Sequence, residues 1–342
     1  MVEKLKFTCS KYLAHAANAY VLGSKTFNAK QWNDMSFAHR ISRNHLPKLA
    51  EQLGYSDKDI IVIVNIDDVG IHKDETEASF KALNFGMVKT GSVMVPCPNF
   101  DQVIKLWKEN PETDLGIHFT LTCEWGGEYP WSPVLSKADV PSLYNPEGIM
   151  WPTMDSLLQH AKREDINKEL EAQINIILNT GLIPSHLDHH MDFYYHADLF
   201  SDVMELSRKY NLPMRVWRRR IYKLPLLKNN LISLRRKGYV FPDTQKGIYM
   251  MGGENQSIDF RKAKYHDHLR SLKPGVHNIK VHIAFQTEEL QNIMGKHDSS
   301  IRQIDYDVWV SDDTKKLAQE LGIIFIGYRP LQILQEKLMK RL

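Results

Sequence analysis

Two adjacent carboxylates, Asp67 and Asp68, stand at the end of the apolar, β-branched run IIVIVNIDDVG (60–70), with Gly70 two residues on. Like charges at that separation repel, and each resists leaving water unless something positive compensates it. Two further short apolar runs end in groups of related chemistry. DLGIHFTLT carries His118, and PSHLDHH carries His186, Asp188, His189 and His190. One carboxylate and two imidazoles on a common rim form a facial N,N,O site with open positions for water and substrate. A divalent cation there would compensate the aspartate pair, bind one carboxylate and leave the other free to act as a base. Each motif also has a plainer use. A DD pair before glycine can be a turn or a helix N-cap, and a histidine inside an apolar strand can be hydrogen-bonded core. Several imidazoles beside one carboxylate are harder to place without an acceptor or a metal, and the three motifs together point to a metal site.

Residues so far apart can meet only if the fold brings strand ends together. From residue 60 onward, short apolar runs alternate with amphipathic segments: IIVIVNI, SFKALNFGMV, SVMVP, DQVIKLWKEN, DLGIHFTLT, REDINKELEAQINIILNTG, PSHLDHH, ADLFSDVMELSRKYN and MRVW. Such alternation implies parallel strands joined by crossover helices, so a β/α barrel and a doubly wound sheet are the candidates. In a barrel, residues at the C-terminal ends of the strands converge on one face. Successive side chains of a regular strand face opposite sides, so Asp67 and Asp68 share a pocket only where the strand breaks, and Gly70 permits such a break.

Ahead of this alternation, helical periodicity through Tyr12, Ala16, Tyr20 and again through Phe37, Ile41, Leu46, Leu49 and Leu53 predicts a helical N-terminal extension over residues 1–58, with the main domain over 59–342. Two irregular regions interrupt the pattern. Residues 123–152 are rich in Trp, Pro, Gly and Tyr, and a long loop of that kind is expected to cover part of a ligand site. The other, about 218–264, opens on the basic stretch RRRIYK, read here as a solvated helix face.

The chain of 342 residues is 43% hydrophobic and 25% charged with a net charge of +3, values ordinary for a soluble globular protein. Near-balanced charge and the lack of a recognised motif argue against nucleic acid. No run of about 18 apolar residues is present to span a membrane. Cys9, Cys97 and Cys123 are too few and scattered for a disulfide framework or zinc knuckle. The N-terminus lacks the order of charge and apolar residues of a signal peptide, so a cytoplasmic location is expected.

IVNIDDVG, KTGSVMVPCPNF, DLGIHFTLT and PSHLDHH, followed by VHIAFQTEELQNI and RQIDYDVWVS, resemble in this order the motifs of the YdjC-like carbohydrate deacetylases, which include chitooligosaccharide deacetylases. The likeness covers about residues 60–326. It implies a distorted, TIM-like β/α barrel with a divalent-metal site, Mg or Zn, that removes acetyl groups from N-acetylated sugars. By resemblance Asp67 is the base, Asp68, His118 and His190 are the metal ligands, His282 is the acid, and Arg215 orients Asp67. The chain departs from the family pattern at Ile66, Thr76, His189 and Ile283, none of them a ligand in that scheme, although His189 competes with His190 and His186 lies near. Trp125, Tyr129, Trp131 and Tyr144 could stack on sugar faces or pack as core. The expected partner is an N-acetylated sugar or oligosaccharide, and a homodimer is the assembly considered. Two alternatives remain, a glycoside hydrolase and a metal-bearing carbohydrate-binding protein without turnover.

Overall fold

The computed structural model describes residues 48–191, 197–216, 233–247 and 257–341. Most of the expected N-terminal extension, the RRRIYK stretch and Cys9 lie outside the described residues. A short helix, α1 (Leu49–Gln52), precedes strand β1 (Ile60–Val69). There follow α2 (Lys73–Phe85), β2 (Thr90–Val93), α3 (Phe100–Glu109), β3 (Leu115–Phe119), α4 (Met154–His160), α5 (Arg163–Asn179), β4 (Leu187–His189) and α6 (Ala197–Lys209). The C-terminal part comprises β5 (Thr244–Gly247), α7 (Ile258–Ser271), β6 (Gly275–Val281), α8 (Glu288–Met294), α9 (Lys296–Trp309), α10 (Asp312–Glu320), β7 (Ile323–Phe325) and α11 (Arg329–Met339).

Among the described residues every strand pair is parallel, in the order β4-β3-β2-β1-β6-β5, with β7 pairing the first residues of β1 and β2 its last ones. The sheet curls into a half-barrel with helices around it, a distorted α/β barrel. The expected MRVW strand is, within the described residues, a single parallel bridge between Met214 and Leu187. Two backbone bonds, Leu187 N–H to Pro213 O and Arg215 N–H to Leu187 O, nonetheless seat Arg215 against β4.

The two-residue period of a strand explains how one sheet holds both an apolar core and a polar rim. On β1, Val62, Val64 and Ile66 join the main core under the helices, with Ile279 and Val281 of β6 and Leu115, Ile117 and Phe119 of β3. The alternate residues face the concave side. There Ile61 and Ile63 pack with Val276, Tyr328, Leu331 and Leu334, so that α11 and α1 fill the lower part of the barrel. Above this apolar layer the same concave positions turn polar: Asn65 and Asp67 on β1, Ser92 on β2, His118 on β3, and Lys280 with His282 at the end of β6.

The long loop after β3 is fastened to α5. Gln173 donates to Thr120 O at 2.7 Å and accepts from Thr120 N–H at 3.1 Å, and the Glu169 carboxylate accepts from Val134 N–H (2.9 Å) and Leu135 N–H (3.1 Å). Each of these bonds gives a backbone group of the loop a partner on α5.

Candidate metal centre and its surroundings

The rim begins with a break in β1. Between Ile66 and Val69 the pairing with β2 shifts register, and Asp68 adopts φ 64°, the left-handed region that a non-glycine residue seldom enters. That bulge turns Asp68 to the same side as Asp67. Gly70 follows at φ 96°, and a side chain there would press on Val103 Cγ2 at 3.2 Å.

Three strand ends then meet. Asp68 Oδ1 lies 3.1 Å from His118 Nε2 and 3.1 Å from His190 Nδ1. These three donor atoms lie within 4.8 Å of one another, on one carboxylate and two imidazoles. Each imidazole is backed on its far nitrogen by a carboxylate. His118 Nδ1 is 3.2 Å from Asp188 Oδ2 and 3.0 Å from Ser92 Oγ, and His190 Nε2 is 2.8 Å from Glu124 Oε2. Carboxylates in that position fix ring orientation and tautomer in metal-binding histidines. A second group of candidate donors, Asp67, His118 and Asp188, shares His118. Its carboxylates are already taken: Arg215 donates to Asp67 Oδ1 at 2.6 Å and to Oδ2 at 2.9 Å, and its Nε lies 2.5 Å from Asp188 Oδ1. The set Asp68, His118 and His190 therefore fits a cation better.

Charge supports that fit. Among the described residues, Asp67, Asp68, Glu75, Glu124 and Asp188 face Arg215, Lys280 and Arg302 around the same buried volume, an excess of two negative charges when the histidines are neutral. Without a cation, protons make up the difference. Burial works against a proton on His190, yet Glu124 and Asp68 push its pKa up to about 10. Burial likewise drives Glu75 up to about 8 despite the guanidinium of Arg302.

Asp67 behaves differently. Burial would raise its pKa, but Arg215, then His118 and Lys280, outweigh burial and hold the carboxyl well below the usual range. Asn65 Nδ2 adds a hydrogen bond to Oδ1 at 2.9 Å. The other oxygen, Oδ2, faces His282 Nε2 at 3.8 Å and Lys280 Nζ at 4.0 Å. His282 is itself pulled down to about 3 by burial, so its imidazole is neutral.

The remaining sequence expectations divide. His186 is buried in the layer beneath the rim, its ring stacked on Tyr328, and His189 belongs to no metal-competent group among the described residues. Trp131 is core: it is 3% exposed and its indole N–H donates to Thr122 O at 2.9 Å. It packs with Cys123 and Met150 because its loop folds back on itself. Tyr144 spends its hydroxyl on Leu135 O. Trp125 and Tyr129 are partly exposed, tilted against each other at 6.1 Å, and Tyr129 also leans on His72 at 5.3 Å. Sequence reading missed Glu75, Glu124 and Arg302. All three lie on helices or loops, where a lone charge carries no sign of burial.

A model of the family described as YdjC-like protein matches residues 61–320. A carbohydrate deacetylase of Geobacillus stearothermophilus is 37% identical over 48% of this chain and 62% of its own length, and one of Brevibacillus brevis is 34% identical over 45% and 58%. The chain thus spans less than two thirds of the length of these two relatives. A carbohydrate deacetylase of Thermoanaerobacter pseudethanolicus is 24% identical over 79% of this chain and 99% of its own. Among solved structures, one from Enterococcus faecalis named for cellobiose-phosphate cleavage aligns with TM-score 0.64 at 24% identity, over 80% of this chain and 99% of that one. That likeness is one of fold.

Proposed function

The chain belongs to the YdjC-like family, and from that premise we propose that it is a metal-dependent carbohydrate N-deacetylase, hydrolysing the acetamide of an N-acetylated sugar to acetate and a free amine. The observation that carries this reading is the meeting of Asp68, His118 and His190 on one rim, with Asp67 beside them and both its oxygens bonded by the fork of Arg215. The relatives named carbohydrate deacetylase support the reaction type.

A divalent cation held by Asp68, His118 and His190 would lower the pKa of water and polarise the acyl oxygen. Two imidazoles with one carboxylate suit zinc or a similar transition metal better than magnesium, which prefers an all-oxygen shell. Arg215 fixes the plane of the Asp67 carboxylate and keeps it ionised, ready to take a proton from the attacking water at Oδ2. His282 Nε2, 3.8 Å from that oxygen, is the nearest route onward. As a neutral imidazole it receives the proton from Asp67 and delivers it to the departing sugar nitrogen, so it acts as an acid only after the base has worked. Trp125 and Tyr129 offer aromatic faces to the sugar ring.

The test is acetate release from N-acetylglucosamine oligomers by protein with and without chelator treatment. Acetate that depends on metal is the expected result. Undiminished acetate after complete metal removal overturns the metal mechanism, and new reducing ends without acetate would identify a glycosidase instead.

A further inference from the structure

Asp68 uses its two oxygens differently. Oδ1 faces both histidine ligand atoms at 3.1 Å, whereas Oδ2 accepts a hydrogen bond from Arg302 Nη2 at 2.9 Å. The other terminal nitrogen of Arg302, Nη1, binds Glu75 Oε1. Arg302 is 6% exposed and Glu75 is 1% exposed, so this is a buried chain of carboxylate, guanidinium and carboxylate running from β1 through α9 to α2. The second oxygen of Glu75, Oε2, is buried with no hydrogen-bond partner among the described residues. Such an arrangement is expensive to bury for stability alone, because three ionisable groups leave water and one oxygen is left unsatisfied.

The helix that carries Arg302 is pinned one turn further on. Asp305 accepts from Arg261 Nε at 2.8 Å and Nη2 at 2.6 Å on Oδ1 and from Tyr265 hydroxyl at 2.9 Å on Oδ2, with Arg261, Tyr265 and Asp305 all buried. Ala284 N–H donates to Arg302 O at 3.3 Å, tying the same turn to the segment that follows His282. The turn of α9 that carries Arg302 is therefore anchored by contacts that do not involve Asp68, and Glu75 holds the other terminal nitrogen of its guanidinium.

From this we propose that Arg302 is a positioning residue for the metal centre. By occupying Oδ2 it keeps Asp68 a one-oxygen ligand, presents Oδ1 alone to the cation beside His118 and His190, and so leaves the coordination positions that water and substrate need. A planar guanidinium can bridge two carboxylates with a fixed fork, which a lysine ammonium cannot. The proposal rests on the metal reading of the site. If the fork is removed, the freed carboxylate can turn to offer both oxygens, which raises the coordination number.

Titration of the metal-free full chain with Co(II), followed by visible absorption, separates the outcomes, because the intensity of the cobalt band falls as coordination number rises. The wild-type chain is expected to bind one ion with an intense, low-coordinate band. In Arg302→Met the band should weaken as the second oxygen of Asp68 joins the ion and the coordination number rises. A change that merely loosened the fold would lower the melting temperature without altering the band. A folded Arg302→Met with a wild-type band overturns the positioning role while leaving the metal site standing. Should that variant not fold, Arg302→Lys decides: a band displaced toward weaker absorption supports the fork, and one identical to wild type overturns it. Failure of the wild-type chain to bind Co(II) would sink the metal reading itself and this proposal with it.

Discussion

Two histidines of one short segment, His186 and His190, lie in different layers of the barrel. His186 sits in the layer below the rim. Its ring stacks on Tyr328 with centroids 3.9 Å apart and planes at 14°, and it passes so close to Gly116 that a Cβ there would be 2.3 Å from Nδ1. Ser185 Oγ is its hydrogen-bond partner at 2.9 Å, and burial, with Arg215 adding to it, holds its pKa well below the usual value. His190 rises two positions above Asp188, between Asp68 and Glu124, and its pKa is pushed the opposite way, to about 10. The residue type is the same and the chain separation small. What differs is which carboxylates other elements deliver: Asp68 from β1 and Glu124 from the loop after β3 reach His190, and neither reaches His186.

The largest effect that this contrast predicts comes from paired alanine substitutions. His118→Ala, which removes one of the proposed ligands from the rim, should abolish both metal binding and acetate release. His186→Ala should leave metal content and turnover intact and cost about 2–5 kcal/mol of stability, the range for emptying a large buried site. Metal analysis and denaturant unfolding of the two variants check both halves. A drop in metal content in His186→Ala, with the fold retained, would erase the distinction between the layers.

Within the rim the next effect separates ligand from base. Asp67→Asn keeps the shape that Arg215 grips and removes the proton acceptor, so turnover should fall about 10²- to 10⁴-fold with metal still bound. Full activity would refute the role of Asp67. Smaller again is Glu124→Gln, which weakens the grip on the far side of His190. Metal affinity should drop about 10- to 100-fold, measured by competition with a chelating dye, and an unchanged affinity would mean that Glu124 only tethers the loop.

The contrast also explains what could be read from the chain beforehand. The strands were legible because β1 is apolar on both faces and parallel sheets bury both, and the pair Asp67–Asp68 signalled its own bulge, since two charges cannot share a pocket from a regular strand. The choice between His186, His189 and His190 was not legible. It depends on which positions of β4 face the barrel axis and at what height, which the register with β3 sets: His118 opposite Asp188 and Phe119 opposite His189. Arg302 and Glu75 were hidden for a related reason. In sequence each is an ordinary charged residue of a polar helix, and only the docking of α9 and α2 onto the rim removes them from water. Trp131 stayed open in the sequence, since its aromatic ring suits a sugar as well as it suits the small cluster with Cys123 and Met150 that claims it.

The remaining effect is on the pH dependence of stability in metal-free protein, where the two histidines act with opposite signs. His186 in the fold resists protonation, whereas in the unfolded chain it takes up a proton near its ordinary value of about 6.5. Below that pH the unfolded state binds more protons, so this contribution is lost as pH falls. His190 in the fold keeps its proton up to about 10, and the unfolded chain releases it near 6.5. Its contribution is fully present below 6.5 and is lost as pH rises from there toward 10. Each slope is limited to about 1.4 kcal/mol per pH unit for one proton. Chelated protein unfolded by urea at a series of pH values should therefore show a shallower alkaline slope in His190→Gln and a shallower acid slope in His186→Phe, a substitution that preserves the stack on Tyr328. If both variants flatten the same limb, the two histidines share one environment and the separation into layers is wrong.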